Sequence, residues 1–251
     1  MNAVAIAVRD IPALEHTEAM RLAEAEYERL LDLVDNLSAS DWTRPTDCPG
    51  WDVRAMLGHL LGMFELLSDR TEAARQFGTA AQACAEKGGE RIDALTAMQV
   101  EEHAQLTASE LATALHERYP TALAGRRDTS EEERAAPFDT GNRVEGVWTR
   151  GYLLDVILTR DPWLHRIDIC RATGRDPVLT ADHDGRIIAN VVADWAARHG
   201  QDCTLILDGP AGGTYTTGAA EPEIRVDAVE FCRILSGRGT GEGLLRTRIA
   251  F

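Results

Sequence analysis

The sequence predicts a mainly α-helical protein in which a helical N-terminal domain is followed by a small α+β domain. Three observations predict this fold class. Over most of residues 1–175, apolar side chains recur about every 3.6 residues, as they do on the buried face of a helix. After residue 180, a helix is followed by short β-prone runs separated by glycine and proline turns, and then by a second helix. A chain of 251 residues can bury two such cores without disulfides. We therefore predict domains at residues 1–175 and 180–251.

Each helix of the first domain follows from its apolar spacing and from the residues at its ends. Helices are predicted at residues 12–37, 53–67, 71–86, 91–119 and 144–171. Polar or turn-rich connections are predicted at residues 38–50, 125–142 and 174–177. Asp52 is a helix-capping residue type and directly precedes the second helix. A break is expected near Thr107, with Ser109 as the cap of a new segment.

The second domain is predicted from the alternation of short strand-like and helix-like runs. Its helices are predicted at residues 181–199 and 228–235, and its strands at residues 204–207, 214–217, 224–226 and 244–251. The last strand would close the sheet as an edge or neighbouring strand. This element order is typical of a small α+β domain.

Composition excludes several classes of protein. Subtracting 41 acidic from 26 basic residues leaves a net charge of −15, which argues against a nucleic-acid or anionic-membrane partner. No apolar run approaches the roughly 18 residues of a membrane span, and the apolar residues 1–8 are too short for a signal peptide. The five cysteines form no C-x-x-C pair, which excludes a zinc ribbon or a thioredoxin motif. The expected location is the reducing cytoplasm.

Three residues on two predicted helices could hold a divalent ion. Asp161 and His165 are four residues apart, so both side chains project from one face of a continuous helix. His59, in the second helix, would complete a facial set of three ligands that leaves positions open for substrate. The alternatives remain open at this point. His59 could be a core histidine bonded to a carbonyl, and Asp161 could cap a helix that starts at Pro162.

Two further residues have weaker signals. Asp168 could accept the far ring N–H of His165 and fix its tautomer, or it could be a surface carboxylate paired with Arg171 or Arg175. Arg238, between two glycines, could clamp a substrate carboxylate, or it could be an ordinary turn residue.

Other catalytic patterns have little or no support in the sequence. No basic residue lies beside Cys48 in the sequence to activate its thiol, which argues against a nucleophilic role. The chain contains no G-x-S-x-G elbow, no G-x-G-x-x-G fingerprint and no Walker pattern.

Two segments together resemble the mycothiol-dependent maleylpyruvate isomerase family, which belongs to the DinB-like metalloprotein superfamily. They are WTRPTDCPGWDVR with the following GHL, at residues 42–54 and 58–60, and TRDPWLHRID, at residues 159–168. A weaker match, DAVEFCRILSGR at residues 227–238, resembles the family's small C-terminal domain, which is similar to sterol-carrier modules. The resemblance implies a DinB-like four-helix bundle followed by a sterol-carrier-like α+β domain.

The resemblance also implies a metal and a reaction. The metal would be divalent, usually zinc, with His59, Asp161 and His165 as ligands. The family's isomerase has glutamate where this chain has Asp161, and Pro162 is a second departure from its pattern. The family isomerises a cis double bond flanked by carbonyls with a low-molecular-weight thiol, which adds to the alkene and leaves again after rotation. Related members transfer such thiols to other electrophiles.

The function expected from the sequence is therefore divalent-metal-dependent thiol chemistry. The chain would be an isomerase or an S-transferase that uses Zn²⁺ and mycothiol, and its partners would be a small electrophile and that thiol. The alternatives are a metal-dependent hydrolase and a non-enzymatic protein that binds a metal or another ligand.

Overall fold

The computed structural model describes residues 5–142, 145–218 and 221–251, and the chain divides into two compact units. The helical unit is His16–Asp176, and the C-terminal unit combines Pro177–Phe251 with the described part of Met1–Glu15. The predicted fold class is confirmed, since helices dominate and a small sheet lies in the C-terminal unit. The boundary at Asp176 falls in the predicted linker. The segment before His16, however, groups with the C-terminal unit.

The helical unit is built around four long helices. Its helices are α1 (His16–Asp35), α2 (Val53–Ser68), α3 (Arg70–Lys87), α4 (Arg91–His103), α5 (Ala108–Arg127), α6 (Glu131–Ala135) and α7 (Leu158–Thr173). Helices α1, α2, α5 and α7 pack against one another, and α3 and α4 pack beside α2. The fully buried apolar side chains of these four helices include Leu22, Leu30, Leu57, Leu60, Leu111, Leu115, Trp163 and Ile167. Burial of these side chains is the main favourable contribution to folding of the unit.

The predicted helix starts are partly confirmed. Asp52 caps α2, because its carboxylate accepts a hydrogen bond from the Ala55 N–H at 2.8 Å. The break after α4 is present, but Thr107 rather than Ser109 caps α5. Thr107 and Glu110 form a reciprocal capping box, in which each side chain bonds the backbone N–H of the other residue.

The predicted solvated connection at residues 125–142 is more structured than expected. Ser130 and Glu133 form a second capping box, which starts the short helix α6. Strand β2 (Pro137–Asp139) then pairs antiparallel with β3 (Val147–Thr149). Val144, the predicted start of the last helix, lies outside the described residues. The chain after β3 instead forms a π-helical turn at Tyr152–Ile157 that leads into α7.

The C-terminal unit packs two helices with a four-stranded sheet. Its strands are β1 (Ile6–Ala7), β4 (Cys203–Asp208), β5 (Gly213–Thr217) and β6 (Glu223–Asp227), in the order β1-β5-β4-β6. Strand β4 is antiparallel to β5 and parallel to β6, and β1 is parallel to β5. Its helices are α8 (Arg186–His199) and α9 (Ala228–Ser236). Trp195 of α8 and Phe231 of α9 are fully buried, with ring centroids 5.3 Å apart.

The predicted strand at residues 244–251 is wrong. A 3₁₀ turn occupies Gly243–Arg246, and the Ile249 N–H donates to the carbonyl of Leu235 near the end of α9. The Arg248 guanidinium donates to the Ile234 carbonyl at 2.6 Å. Because its backbone bonds the end of this helix, the segment does not join the sheet, and β1 takes the edge beside β5. Within the described residues, no helix is both long and apolar enough to cross a membrane.

Candidate metal site

Helices α2 and α7 bring the three predicted ligands together. His59 Nε2 lies 3.6 Å from Asp161 Oδ2, and His165 Nε2 lies 3.2 Å from Asp161 Oδ1. Both imidazoles are buried, and the Asp161 side chain is 18% exposed. The three ligand atoms all lie within 4.8 Å of one another. A single carboxylate therefore bridges two imidazoles from two helices, as the spacing of Asp161 and His165 predicts.

These atoms fit a small divalent ion. Tetrahedral zinc with bonds of about 2.0–2.1 Å to nitrogen and oxygen places neighbouring ligand atoms about 3.3 Å apart. The separations of 3.2 Å from His165 to Asp161 Oδ1 and 3.6 Å from His59 to Asp161 Oδ2 lie on either side of that value. Among the described residues, no fourth His, Cys, Asp or Glu groups with all three. Three protein ligands are typical of catalytic zinc, whereas structural zinc is normally closed by four.

The charges at the site also favour a cation. Burial alone would raise the pKa of Asp161, but the charge and the hydrogen bond of His165 hold it well below its usual range. Burial would lower the pKa of His165, but the charge and hydrogen bond of Asp161 outweigh burial and raise it well above its usual value. A proton on His165 therefore partly neutralises the carboxylate where a metal ion would otherwise do so.

The alternative role of Asp161 as a helix cap does not apply. Helix α7 begins at Leu158, directly after the π-helical turn, so Asp161 lies within the helix. Pro162 has no N–H, which leaves the carbonyl of Leu158, four residues earlier, without its usual helical donor. The guanidinium of the fully buried Arg126 donates hydrogen bonds to that carbonyl at 2.8 Å and to the carbonyl of Leu154 at 2.5 Å. The helix thus keeps Asp161 and His165 on one face despite the proline.

The other ring nitrogen of each imidazole, Nδ1, is hydrogen-bonded to a buried oxygen. His165 Nδ1 lies 3.3 Å from Asp168 Oδ2, which is the hydrogen bond expected from their spacing. Asp168 is fully buried, so it is not a surface carboxylate, and Arg171 and Arg175 each bond other aspartates. His59 Nδ1 lies 2.7 Å from Oε1 of the buried Gln99 on α4.

Gln99 was not predicted from the sequence. The signal that could have found it is its position on the buried face of α4, four residues after Leu95 and four before His103. A glutamine on such a face needs buried hydrogen-bond partners, because an unsatisfied amide there costs free energy.

The loop before α2 places an aromatic ring against both imidazoles. The Trp51 ring centroid lies 5.2 Å from that of His59 and 6.1 Å from that of His165. The loop is held as a short hairpin, because the Thr46 N–H donates to the Trp51 carbonyl at 2.9 Å. Gly50 has a φ of 81°, which favours glycine at this turn.

Cys48, in the same loop, lies on the far side of His165 from Asp161. Its sulfur is 3.9 Å from Asp168 Oδ2 and groups with His165 and Asp168. The thiol therefore does not approach all three candidate ligands in this arrangement.

Arg238 lies in the C-terminal unit, in the turn that follows α9. Gly237 adopts a left-handed conformation with a φ of 100°, and the Arg238 N–H donates to the Arg233 carbonyl at 2.8 Å. The residue is half-buried. Its role as a carboxylate clamp stays a prediction.

Comparison with known proteins identifies the family. A family model described as the mycothiol maleylpyruvate isomerase N-terminal domain matches residues 23–170. Two curated relatives from Mycobacterium tuberculosis, the uncharacterized proteins Rv0036c and MT0041, are each 28% identical over 222 residues, covering 85% of this chain and 82% of theirs.

Solved structures show the same fold. A crystal structure of the mycothiol-dependent maleylpyruvate isomerase matches with a TM-score of 0.58 and 16% identity, covering 93% of this chain and 92% of that one. A histidine-to-alanine mutant of that enzyme matches with a TM-score of 0.57. The family model spans the three candidate ligands and more than half of the chain. The chain therefore belongs to the mycothiol maleylpyruvate isomerase N-terminal domain family.

Proposed function

We propose that this protein is a divalent-metal-dependent enzyme of thiol chemistry. It would use a low-molecular-weight thiol such as mycothiol to isomerise a small electrophile or to transfer the thiol to it. His59, Asp161 and His165 would hold the metal, with zinc as the expected ion. The observation that carries the proposal is the convergence of two imidazole nitrogens on one carboxylate, at ligand separations of 3.2 Å and 3.6 Å. The choice of mycothiol as the thiol rests on the description of the family.

The reach of Asp161 supports the site despite its short side chain. The family resemblance places glutamate at this position, which is one methylene longer. In this chain the carboxylate already lies within 3.6 Å of both imidazole nitrogens. The shorter side chain therefore still reaches both imidazoles, and its loss of length does not argue against the site.

Each residue of the site has a distinct part in the proposed chemistry. When bound, a divalent ion lowers the pKa of a coordinated thiol or water and polarises a carbonyl oxygen. Asp161 contributes the only negative charge of the three-residue set, and His59 and His165 keep their Nε2 atoms directed at it. Trp51 packs beside both rings and would help hold their orientation. Arg238 would bind a carboxylate of the substrate.

Metal content is the first test. We expect purified protein to hold about one zinc per chain, and His59→Ala and His165→Ala each to lose it, because each removes one of three ligands. Elemental analysis measures this directly. His116→Ala is a matched control, since His116 is exposed and bonds Asp35 at 2.8 Å on the bundle surface. Stoichiometric metal in either ligand variant, or none in the wild type, would contradict the proposal.

Thiol dependence separates the proposed reaction from its rivals. We expect turnover of a cis alkene flanked by carbonyls, or addition of thiol to an electrophile, only when mycothiol is supplied. Equal turnover without thiol would favour a hydrolase that activates water. Bound metal without turnover of any substrate would favour a binding protein.

A further inference from the structure

A chain of buried amides extends from His59 into the core of the helical unit. Gln99 Oε1 lies 2.7 Å from His59 Nδ1, and Gln99 Nε2 donates to Gln76 Oε1 at 2.8 Å. Gln76 Nε2 in turn donates to the Gly62 carbonyl at 3.0 Å. Both glutamines are fully buried, so each amide must find its partners within the protein. We call this pair, Gln99 with Gln76, the amide relay.

The far end of the amide relay fixes the direction of every hydrogen bond in it. A backbone carbonyl only accepts, so the Gln76 atom beside Gly62 must be its NH₂ group. The same NH₂ group lies 2.8 Å from Glu72 Oε1. A hydrogen bond from Arg75 lowers the pKa of Glu72, which keeps this carboxylate ionised and therefore an acceptor.

These two acceptors determine the proton position on His59. With its NH₂ group committed, Gln76 turns its oxygen to Gln99 and accepts from the Gln99 NH₂ group. Gln99 then presents its own oxygen to His59, so Nδ1 must carry the proton. His59 Nε2 is left free to face Asp161, which is the atom that a metal ligand needs.

Close packing of α2 on α4 makes room for this arrangement. A Cβ atom at Gly62 would lie 2.6 Å from Gln99 Cγ and 2.7 Å from its Cβ, both too short for a normal contact. Glycine at this position therefore allows Gln99 to approach α2 closely enough to reach His59.

We propose that Gln99 and Gln76 are positioning residues that hold His59 as the Nδ1–H tautomer. The inference rests on the proposed metal site and adds the hydrogen bonds that hold one of its ligands, His59, in the tautomer that can bind a metal. Without the amide relay, a neutral imidazole favours the Nε2–H tautomer, whose proton would point at Asp161 Oδ2, 3.6 Å away. That proton would have to leave or move before His59 could bind a metal.

The test is the tautomer of His59 in metal-free protein, read from the side-chain ¹⁵N chemical shifts at a pH where the ring is neutral. We expect Nδ1–H in the wild type and a shift toward Nε2–H in Gln99→Leu. Zinc affinity of Gln99→Leu should fall by about 10–100-fold, the usual effect of losing a partner behind a ligating histidine. Gln99→Glu keeps an acceptor for Nδ1–H and should retain the wild-type tautomer.

Two further variants keep the test decisive. Gln82→Leu on α3 is the matched control, because Gln82 is an exposed glutamine whose side chain donates to Glu86 at 2.8 Å. It should leave both tautomer and affinity unchanged. If Gln99→Leu does not fold, Gln76→Met is the substitute. This substitution removes Gln76 Oε1, the acceptor of the Gln99 NH₂ group. The Gln99 amide can then rotate, and His59 should show a mixture of tautomers.

Retention of Nδ1–H and of wild-type zinc affinity in Gln99→Leu, or of Nδ1–H alone in Gln76→Met, would overturn the inference. The tautomer is measured without metal, so this result is independent of zinc uptake. A wild-type protein that shows the Nδ1–H tautomer but binds no zinc would contradict the proposed function and leave the amide relay supported.

Discussion

Helices α2 and α7 both carry candidate ligands, but they orient their imidazoles by different means. His59 on α2 bonds a neutral amide, Gln99, which lies 40 residues away in the chain. His165 on α7 bonds a carboxylate, Asp168, which lies three residues further along the same helix. Asp168 adds negative charge behind His165, whereas Gln99 adds none behind His59. The two imidazoles are therefore chemically unequal, although their Nε2 atoms face the same carboxylate.

The starts of the two helices show the opposite arrangement. Helix α2 begins with a local device, the Asp52 side chain that caps it. Helix α7 has no side-chain cap at its first residue. The Leu158 carbonyl and the carbonyl of Leu154, in the preceding π-helical turn, are bonded by Arg126 from α5. Each helix thus depends on one contact within a few residues and one with a distant helix. For α2 these are the Asp52 cap and Gln99, and for α7 they are Asp168 and Arg126. The comparison shows that the geometry of the candidate site depends as much on distant helices as on the motifs that carry its residues.

The largest expected effect comes from removing the long-range device of α7. Arg126→Met should lower the free energy of unfolding by about 3 kcal/mol or more, because it removes buried hydrogen bonds to Tyr27 and Thr159 and leaves the buried Leu158 carbonyl without its donor. Chemical denaturation measures this change. Arg127→Met is the matched control, since Arg127 is half exposed and pairs with Glu24 at 3.3 Å. It should cost no more than about 1 kcal/mol. Equal losses in the two variants would show that α7 does not depend on the buried arginine.

A smaller effect is expected where α2 meets α4. Gly62→Ala should destabilise the protein by about 1–3 kcal/mol, because the new methyl group would overlap the Gln99 side chain. Gly78→Ala on α3 should instead stabilise by about 0.5–1 kcal/mol, since nothing lies within 4 Å of the added atom and alanine favours a helix. Thermal or denaturant unfolding compares the two. Changes of the same sign would argue against close packing at Gly62.

The smallest effect is a pH dependence at the same contact between α2 and α4. Burial lowers the pKa of His103, but hydrogen bonds to Glu65 and to the Gln99 carbonyl, with the charge of Glu65, raise it above 6.5. A raised pKa means that protonated His103 stabilises the fold. This stabilisation is complete below pH 6.5 and is lost as the pH rises through the higher folded pKa.

Unfolding of metal-free protein at several pH values checks this prediction. The wild type should lose more stability than His103→Gln between pH 6 and pH 9, by at most about 1 kcal/mol, the range for partly exposed ion pairs. The difference between the two proteins removes the contribution of all other titrating groups. Parallel pH curves would show that the pair with Glu65 contributes nothing to stability.

The sequence could predict the devices that act over a few residues. Asp52 precedes the helix that it caps, and the spacing of Asp161, His165 and Asp168 places all three along one side of α7. Helix periodicity is enough for such cases, because residues three or four apart meet on any helix. The alternative roles of His59 also proved compatible, since its ring bonds the side-chain carbonyl of Gln99 and still faces Asp161.

The sequence could not predict contacts that depend on how helices pack. Gln99 and Arg126 are polar residues in helical segments, and nothing local shows which distant atoms they bond. The same reason explains the error at residues 244–251. An alternating pattern fits a strand, but the segment bonds the end of α9 instead, and a two-residue strand near the N-terminus takes the sheet edge. Local propensity is overridden by tertiary context in each case.

The bond between Arg126 and the carbonyl exposed by Pro162 couples the two positions. Either residue alone would destabilise the fold. Pro162 leaves the Leu158 carbonyl without a backbone donor, and Arg126 without that carbonyl would be a buried cation that lacks one of its acceptors. Together they offset each other, so a substitution at one position changes what is tolerated at the other. We therefore expect the effects of substituting the two positions on stability not to add.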